Sequence, residues 1–178
     1  MNSLPPSPLP LATLVLGGAR SGKSAYAESL FGGQSALYLA TGQALDGEMA
    51  ERIDHHRRRR GSGWSTLEEP LDLADTLDNV MRPDRPVLVD CLTMWLSNLM
   101  QAGRDIDHSV ERLCEVLTNP AGPVVLVSNE VGMGLVPETR LGRQFRDHQG
   151  RVNQRVAAIS RRVVFVAAGL PLVLKDIS

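Results

Sequence analysis

Aromatic residues are scarce in this chain of 178 residues, at 4%. The core must therefore be aliphatic. Many-stranded all-β folds and base-stacking RNA platforms are disfavoured for the same reason. Cysteine is nearly absent. Cys91 and Cys114 lie far apart and form no CxxC or zinc pattern, which reads as two reduced thiols in or near the core. No apolar run reaches the roughly 18 residues that a membrane span needs. An excess of either charge is also missing: the formal net charge is −1, so no global field recruits nucleic acid or an anionic membrane. The N-terminus has neither a basic start nor an apolar h-region, so it does not read as a signal peptide. Residues 1–10, with Pro5, Pro6, Pro8 and Pro10, read instead as a short flexible extension. No internal repeat and no long linker divides residues 11–178, which read as one domain.

What is present is an ordinary globular balance, 43% hydrophobic and 22% charged. A chain of this size buries roughly 70% of its unfolded surface and needs no disulfide or structural metal to hold together. Short aliphatic runs alternate with helical patterns. Leu11–Leu16, Ala36–Ala40, Val87–Val89, Val124–Val127, Val163–Val166 and Leu172–Leu174 read as strands. Ser24–Phe31, Asp46–Arg60, a stretch with Leu92, Trp95, Leu96 and Leu99 at helical spacing, and His108–Leu117 read as helices. A long polar helix is expected from near Pro137 to about Ser160. Such alternation implies a mostly parallel sheet with helices on both faces, closed by a C-terminal antiparallel strand pair.

Gly17-Gly18-Ala19-Arg20-Ser21-Gly22-Lys23-Ser24 matches GxxxxGK[ST] in full, between an expected strand and an expected helix. Glycines let the backbone wrap around phosphates so that successive N–H groups point inward. The following helix adds its dipole and its unpaired donors. Lys23 is placed to reach the β- and γ-phosphates and Ser24 to ligate Mg²⁺. The fold class expected is therefore a single P-loop NTPase-type, RecA-like α/β domain. A P-loop needs a second, metal-holding carboxylate at a strand end, and Asp90 follows Val87-Leu88-Val89 directly. Asp90 also fits a helix N-cap, and the two roles are compatible. No NKxD base-recognition motif is present, so a regulatory GTPase is not the expectation.

Glu51-Arg52-Ile53-Asp54-His55-His56, followed by Arg57, Arg58, Arg59 and Arg60, is the most unusual stretch. At about 100° per residue, Met49, Ile53 and His56 share one stripe, which turns His56 to the core. His55 falls outside that stripe, with Glu51 one turn back able to hold a ring nitrogen. An imidazole so oriented is able to attack a phosphate, and the arginines offset nucleotide charge. A structural histidine and a solvated basic helix end explain the same residues. Physics alone leaves His55 a candidate.

Further segments complete a pattern: Tyr38-Leu39-Ala40-Thr41, Asp46-Gly47-Glu48-Met49, Trp64 to Pro70, Val89-Asp90-Cys91-Leu92-Thr93, Ser128-Asn129-Glu130-Val131-Gly132-Met133-Gly134 and Gly150-Arg151-Val152-Asn153-Gln154. Together with the P-loop and the double histidine, they resemble the bifunctional adenosylcobinamide kinase/adenosylcobinamide-phosphate guanylyltransferase family of cobalamin assembly. The resemblance runs from Leu11 to Lys175. It implies that a nucleoside triphosphate, ATP or GTP, phosphorylates adenosylcobinamide. It implies that GTP then guanylylates a histidine, which passes GMP to adenosylcobinamide phosphate. The first histidine of the pair falls on His55. Lys23, Ser24 and Asp90 carry over as phosphate and Mg²⁺ residues. Gln43, Ala44, Leu45, Arg57 to Arg60 and Glu68 carry over as nucleotide contacts. Relatives assemble as trimers, so a cytoplasmic homotrimer without nucleic-acid or membrane partners is the expectation. A single-activity small-molecule P-loop kinase and a non-catalytic nucleotide-binding module remain as rival readings.

Asn129 and Glu130 follow the fourth expected strand at the carboxyl edge, where open α/β folds bind ligands. They read as substrate or γ-phosphate contacts, or as a capped loop. Arg140, Arg143, Arg146, Arg151 and Arg155 on the long helix read first as a solvated or subunit-facing surface.

Overall fold

A computed structural model describes residues 9–42 and 63–177 of the chain. In chain order its elements are β1 (Ala12–Gly17), α1 (Lys23–Ser29), β2 (Ala36–Ala40), β3 (Trp64–Glu68), α2 (Leu73–Val80), β4 (Val87–Asp90), α3 (Leu92–Gln101), α4 (Ile106–Thr118), β5 (Val124–Asn129), α5 (Arg140–Ile159), β6 (Arg162–Ala167) and β7 (Leu170–Asp176). The helix expected over Asp46–Arg60 lies outside the described residues.

The strands form one seven-stranded sheet in the order β3-β2-β4-β5-β1-β6-β7. Every pairing is parallel except β6 with β7, so the expected antiparallel C-terminal pair is present. The central strands are apolar on both sides because both faces are covered. Leu14, Leu39, Val89 and Leu126 pack beneath α2, α3, α4 and α5. Val15, Tyr38, Leu88, Val127 and Val164 pack on the opposite side with Ala27 and Phe31, from α1 and the turn after it. Because side chains alternate along a strand, each strand end commits its last residue to one of these faces.

Two elements escape the sequence pattern. β3 is an edge strand whose last four residues, Ser65 to Glu68, are exposed, so it carries no apolar run. α2 spans eight residues and buries only Leu73, Ala74 and Leu77, too short a stripe to read as a period. A third difference concerns Asp90. Cys91, not Asp90, stands at the N-cap of α3. Asp90 ends β4, so its carboxylate is not engaged as the helix cap.

Buried polar links hold the carboxyl ends of the strands together. Thr41, just past β2, accepts from the Cys91 backbone N–H at 2.9 Å and donates to the Cys91 carbonyl at 2.7 Å. Asn98 on α3 donates Nδ2 to the Thr41 carbonyl at 2.7 Å and to the Pro70 carbonyl at 3.1 Å. Asn98→Ala would strand both carbonyls in a buried place. It should lower unfolding free energy by about 2 kcal/mol, read from urea denaturation, whereas an effect below about 0.5 kcal/mol would remove this role.

Candidate active site

The loop between β1 and α1 is built from close approaches. A Cβ on Gly17 would stand 2.5 Å from Ser21 Oγ and 2.5 Å from the Val166 carbonyl oxygen. Gly22 has φ 93° and would bring a Cβ within 3.1 Å of Gly169 Cα. Only glycine meets both demands without strain. The β6–β7 hairpin supports the loop from behind, where the Gly169 backbone N–H donates to the Ser21 carbonyl at 2.8 Å. Arg20 also adopts a left-handed conformation, φ 56°. α1 then begins at Lys23 with Gly22 as its N-cap and no side-chain cap. Its first amide donors are therefore free of capping side chains, as an anion-binding helix start requires.

Lys23 lies across this loop, its Nζ donating to the Gly18 carbonyl at 3.1 Å. Burial lowers the pKa of its ammonium, while the negative charge of Asp90 and any charge on Cys91 oppose that shift. The cation is thus half-desolvated and close to Asp90. The unfolded chain holds this proton more tightly, so the stability lost by burying the cation is regained as pH rises toward the ordinary lysine range. A bound polyphosphate works the other way and favours the charged form.

Asp90 is held by Tyr38, whose hydroxyl donates to Oδ2 at 2.7 Å. The pairing of β2 with β4 sets this contact, since Tyr38 and Leu88 are register partners and Ala40 faces Asp90. Asp90 shares the face of Leu88, and Gly17 shares that of Val15, which puts the carboxylate and the loop on the same side of the sheet. Glu68 stands at the end of β3 opposite Ala40 and is exposed. Ser24, in the first turn of α1, is half-buried. Cys91 is buried beside Asp90, and burial, aided by that charge, pushes its thiol up to about 11. It stays protonated near neutral pH. Cys91 and Cys114 are both free thiols.

β5 contributes the residues between the loop and Asp90. Asn129 pairs with Gly17, and the Glu130 backbone N–H donates to the Gly17 carbonyl at 3.1 Å. The Asn129 backbone N–H donates to Thr93 Oγ1 at 2.8 Å. Glu130 Oε1 accepts from the Gly132 backbone N–H at 2.5 Å, which folds the following loop back on itself.

A strand end, a glycine loop closing on a helix start, a half-buried lysine and a strand-end aspartate make a phosphate-binding edge. The family model for cobinamide kinase/cobinamide phosphate guanyltransferase matches residues 13–174. A bifunctional adenosylcobalamin biosynthesis protein of Pseudomonas aeruginosa is 49% identical, over 91% of this chain and 96% of its own length. The Escherichia coli and Salmonella typhimurium proteins of the same description are 43% and 44% identical, each over 91% of this chain and 98% of its own length. The chain belongs to the cobinamide kinase/cobinamide phosphate guanyltransferase family. It is accordingly an enzyme with both of those activities. Solved structures agree on the fold. The flagellar accessory protein FlaH of Methanocaldococcus jannaschii aligns with TM-score 0.53 at 11% identity, over 95% of this chain and 80% of that one. An ATPase of a type III secretion system aligns with TM-score 0.54 at 11% identity, over 93% of this chain and 57% of that one. Both support the P-loop NTPase fold and nothing finer.

Of the residues expected from sequence, Gly17 to Ser24 and Asp90 meet on one face of one edge, and Glu68 ends the outermost strand of that edge. Gln43, Ala44, Leu45, His55, Arg57, Arg58, Arg59 and Arg60 lie outside the described residues. Tyr38 and Thr41 support Asp90 and Cys91, roles that motif spacing does not reveal although both belong to Tyr38-Leu39-Ala40-Thr41. The signal was a tyrosine at an inward position of a strand otherwise made of alanine and leucine. For Gly17→Ala in this family member, the added methyl meets Ser21 and a backbone carbonyl. The substitution should weaken nucleoside triphosphate binding more than tenfold in titration calorimetry, about 1.4 kcal/mol. Unchanged affinity would show that the loop tolerates a side chain there.

Proposed function

We propose that one nucleotide site in this chain serves both reactions of the family through a guanylylated histidine at His55. In the first reaction the substrate hydroxyl of adenosylcobinamide attacks the γ-phosphorus of ATP or GTP. The bond to the β-phosphate oxygen breaks, the nucleoside diphosphate leaves, and the hydroxyl proton passes to solvent. In the second, a neutral ring nitrogen of His55 attacks the α-phosphorus of GTP and pyrophosphate leaves. A phosphate oxygen of adenosylcobinamide phosphate then attacks the same phosphorus, frees His55 and gives adenosylcobinamide-GDP. Dividing the transfer into two displacements lowers the barrier of each. An ordinary imidazole is mostly neutral at physiological pH, as the attack requires.

Family membership, combined with a glycine cradle and Lys23 beside Asp90 on one face, carries this reading. Gly17, Gly18, Ala19, Arg20, Ser21 and Gly22 supply the loop that wraps the phosphates. Lys23 offsets charge on the leaving phosphate in both reactions. Ser24 and Asp90 would hold Mg²⁺, and both are hard oxygen donors of the kind that ion takes. Two protein donors suffice because substrate phosphates and water complete the shell. The Tyr38 hydroxyl keeps the Asp90 carboxylate oriented for this. When bound, the ion neutralises charge between the phosphates. Gln43, Ala44, Leu45, Arg57 to Arg60 and Glu68 are assigned to the nucleotide on the resemblance alone.

The assembly that fits is a homotrimer. Leu170, Leu172, Val173 and Leu174 on the edge strand β7 are exposed, as are Met133, Leu135 and Val136 between β5 and α5 and Leu141 in the first turn of α5. An uncovered apolar edge of this kind calls for a partner surface. A chain of 178 residues also needs a neighbour to enclose a substrate as large as a corrinoid. Free Cys91 and Cys114 suit a reducing compartment, which supports the cytoplasm. No described helix is long and apolar enough to cross a membrane.

Incubation with GTP labelled at the α-phosphate tests the reading. Denatured wild-type protein should keep a label that is acid-labile and alkali-stable. His55→Ala should lose that label and guanylyl transfer while retaining kinase activity. Lys23→Ala should lower both activities on the order of 100-fold. A label that persists in His55→Ala, or equal loss of both activities in a folded His55→Ala protein, would sink the histidine's role.

A further inference from the structure

The β6–β7 hairpin meets the glycine loop at both of the loop's ends. At the start, Gly17 is the register partner of Val166, and a Cβ there would stand 2.5 Å from the Val166 carbonyl oxygen. At the end, Gly22 faces the turn between the two strands, and its Cβ would stand 3.1 Å from Gly169 Cα. Val164 and Val166 of β6 also pack with Ala27 of α1, so the helix that follows the loop rests on the same strand. Nothing in the spacing of the phosphate motif announces this seat.

The turn itself is tight. Ala167 pairs with Leu170, which leaves Ala168 and Gly169 as its central residues. Both are left-handed, at φ 51° and φ 79°. Two left-handed residues give a hairpin turn whose twist matches its strands. A left-handed alanine is strained, and it persists only where its surroundings fix it.

One hydrogen bond joins this turn to the loop. The Gly169 backbone N–H donates to the Ser21 carbonyl at 2.8 Å. A peptide group is planar and trans, so its C=O and its N–H point in opposite directions. A Ser21 carbonyl turned toward the hairpin therefore turns the Gly22 N–H away from it, to the open side of the loop. Among the described residues that N–H meets no acceptor. If the same peptide rotated, its carbonyl oxygen would face the open side and repel an anion.

We propose that Gly169 is a positioning residue for nucleotide binding, its N–H fixing the Ser21–Gly22 peptide so that the Gly22 N–H faces the phosphate chain. The inference rests on the phosphate site proposed above and extends it to a strand pair outside the motif. The hairpin touches no phosphate and acts through one peptide plane. Its effect is therefore the same for every ligand whose phosphates lie in the loop, whichever transfer follows.

Replacing Gly169 by glycolic acid during translation turns its N–H into an ester oxygen and keeps the shape of the turn. Affinities for GTP, GDP and inorganic pyrophosphate should each fall about tenfold in titration calorimetry, by one common factor. Gly169→Val disfavours a positive φ and should weaken pyrophosphate binding to the same degree. Gly169→Asn tolerates that φ, keeps the N–H and should recover affinity to within about threefold of wild type. A Cβ at position 169 meets nothing within 4 Å, so bulk at the turn does not separate the two variants. Hydrogen exchange in the wild-type protein needs no variant to fold. Saturating pyrophosphate should slow exchange of the Gly169 amide about tenfold, because the coupling is reciprocal. The Ile177 amide, bonded to the Arg161 carbonyl at the far end of the hairpin, should exchange as before. An ester protein within about twofold of wild type, equal losses in Gly169→Val and Gly169→Asn, or an unchanged Gly169 exchange rate would overturn the proposal. So would a loss of GDP affinity without a loss for pyrophosphate. A wild-type protein that binds neither GTP nor pyrophosphate would instead overturn the phosphate site on which the proposal rests.

Discussion

At Gly17 the backbone passes so close to Ser21 and to the Val166 carbonyl that a methyl group would stand 2.5 Å from each. Everything at the site depends on that approach. It turns the chain sharply enough that α1 starts at Lys23 directly beneath the loop. It lets the Gly169 amide close the loop from behind, and it brings the Lys23 ammonium across to the Gly18 carbonyl. A parallel sheet then does the rest. The register of β1 with β5, and of β5 with β4, sets Asn129 and Asp90 at fixed steps from Gly17. The period of two turns both toward the loop. The polar ring behind the strands, from Asn98 through Thr41 to Cys91, and from Gln149 through Ser128 to Asn153, keeps those steps from sliding.

The electrostatics follow from the same packing. Lys23 is half out of water and Asp90 is near, so the free site already holds a cation and an anion in balance. A polyphosphate replaces that balance with a stronger one, because its charge meets the loop amides, the helix start and Lys23 together. Cys91 lies beside Asp90, and burial keeps its thiol protonated. Near-neutral net charge is no obstacle to nucleotide chemistry, since Lys23 places a positive charge at the loop itself.

Much of this is legible in the amino-acid sequence. The glycine loop has a strict spacing, and the buried strands β4 and β5 open on unbroken aliphatic runs, Val87–Val89 and Val124–Val127, so both are readable directly. The antiparallel closure was readable from the short Ala167 to Pro171 turn. β3 was not, because an edge strand with Ser65, Thr66 and Glu68 outward has no apolar signature. α2 was not, because eight residues give too few turns for a period to show. Asp90 could be assigned to the site but not cleared of the cap, since a strand end and a helix start are adjacent there and only backbone geometry separates them. The supports of the site were the least legible. Tyr38 and Asp90 are 52 positions apart, and Ser128 and Asn153 are 25 apart, so their contacts exist only once the sheet is assembled.

The central claim is that a single phosphate cradle serves both transfers. Inhibition by a GTP analogue that cannot be cleaved at either the α–β or the β–γ bridge tests it most directly, with calorimetry on the same protein. The account predicts one bound equivalent per chain and the same inhibition constant for kinase and guanylyl transfer. A second equivalent, or two clearly different constants, would contradict it.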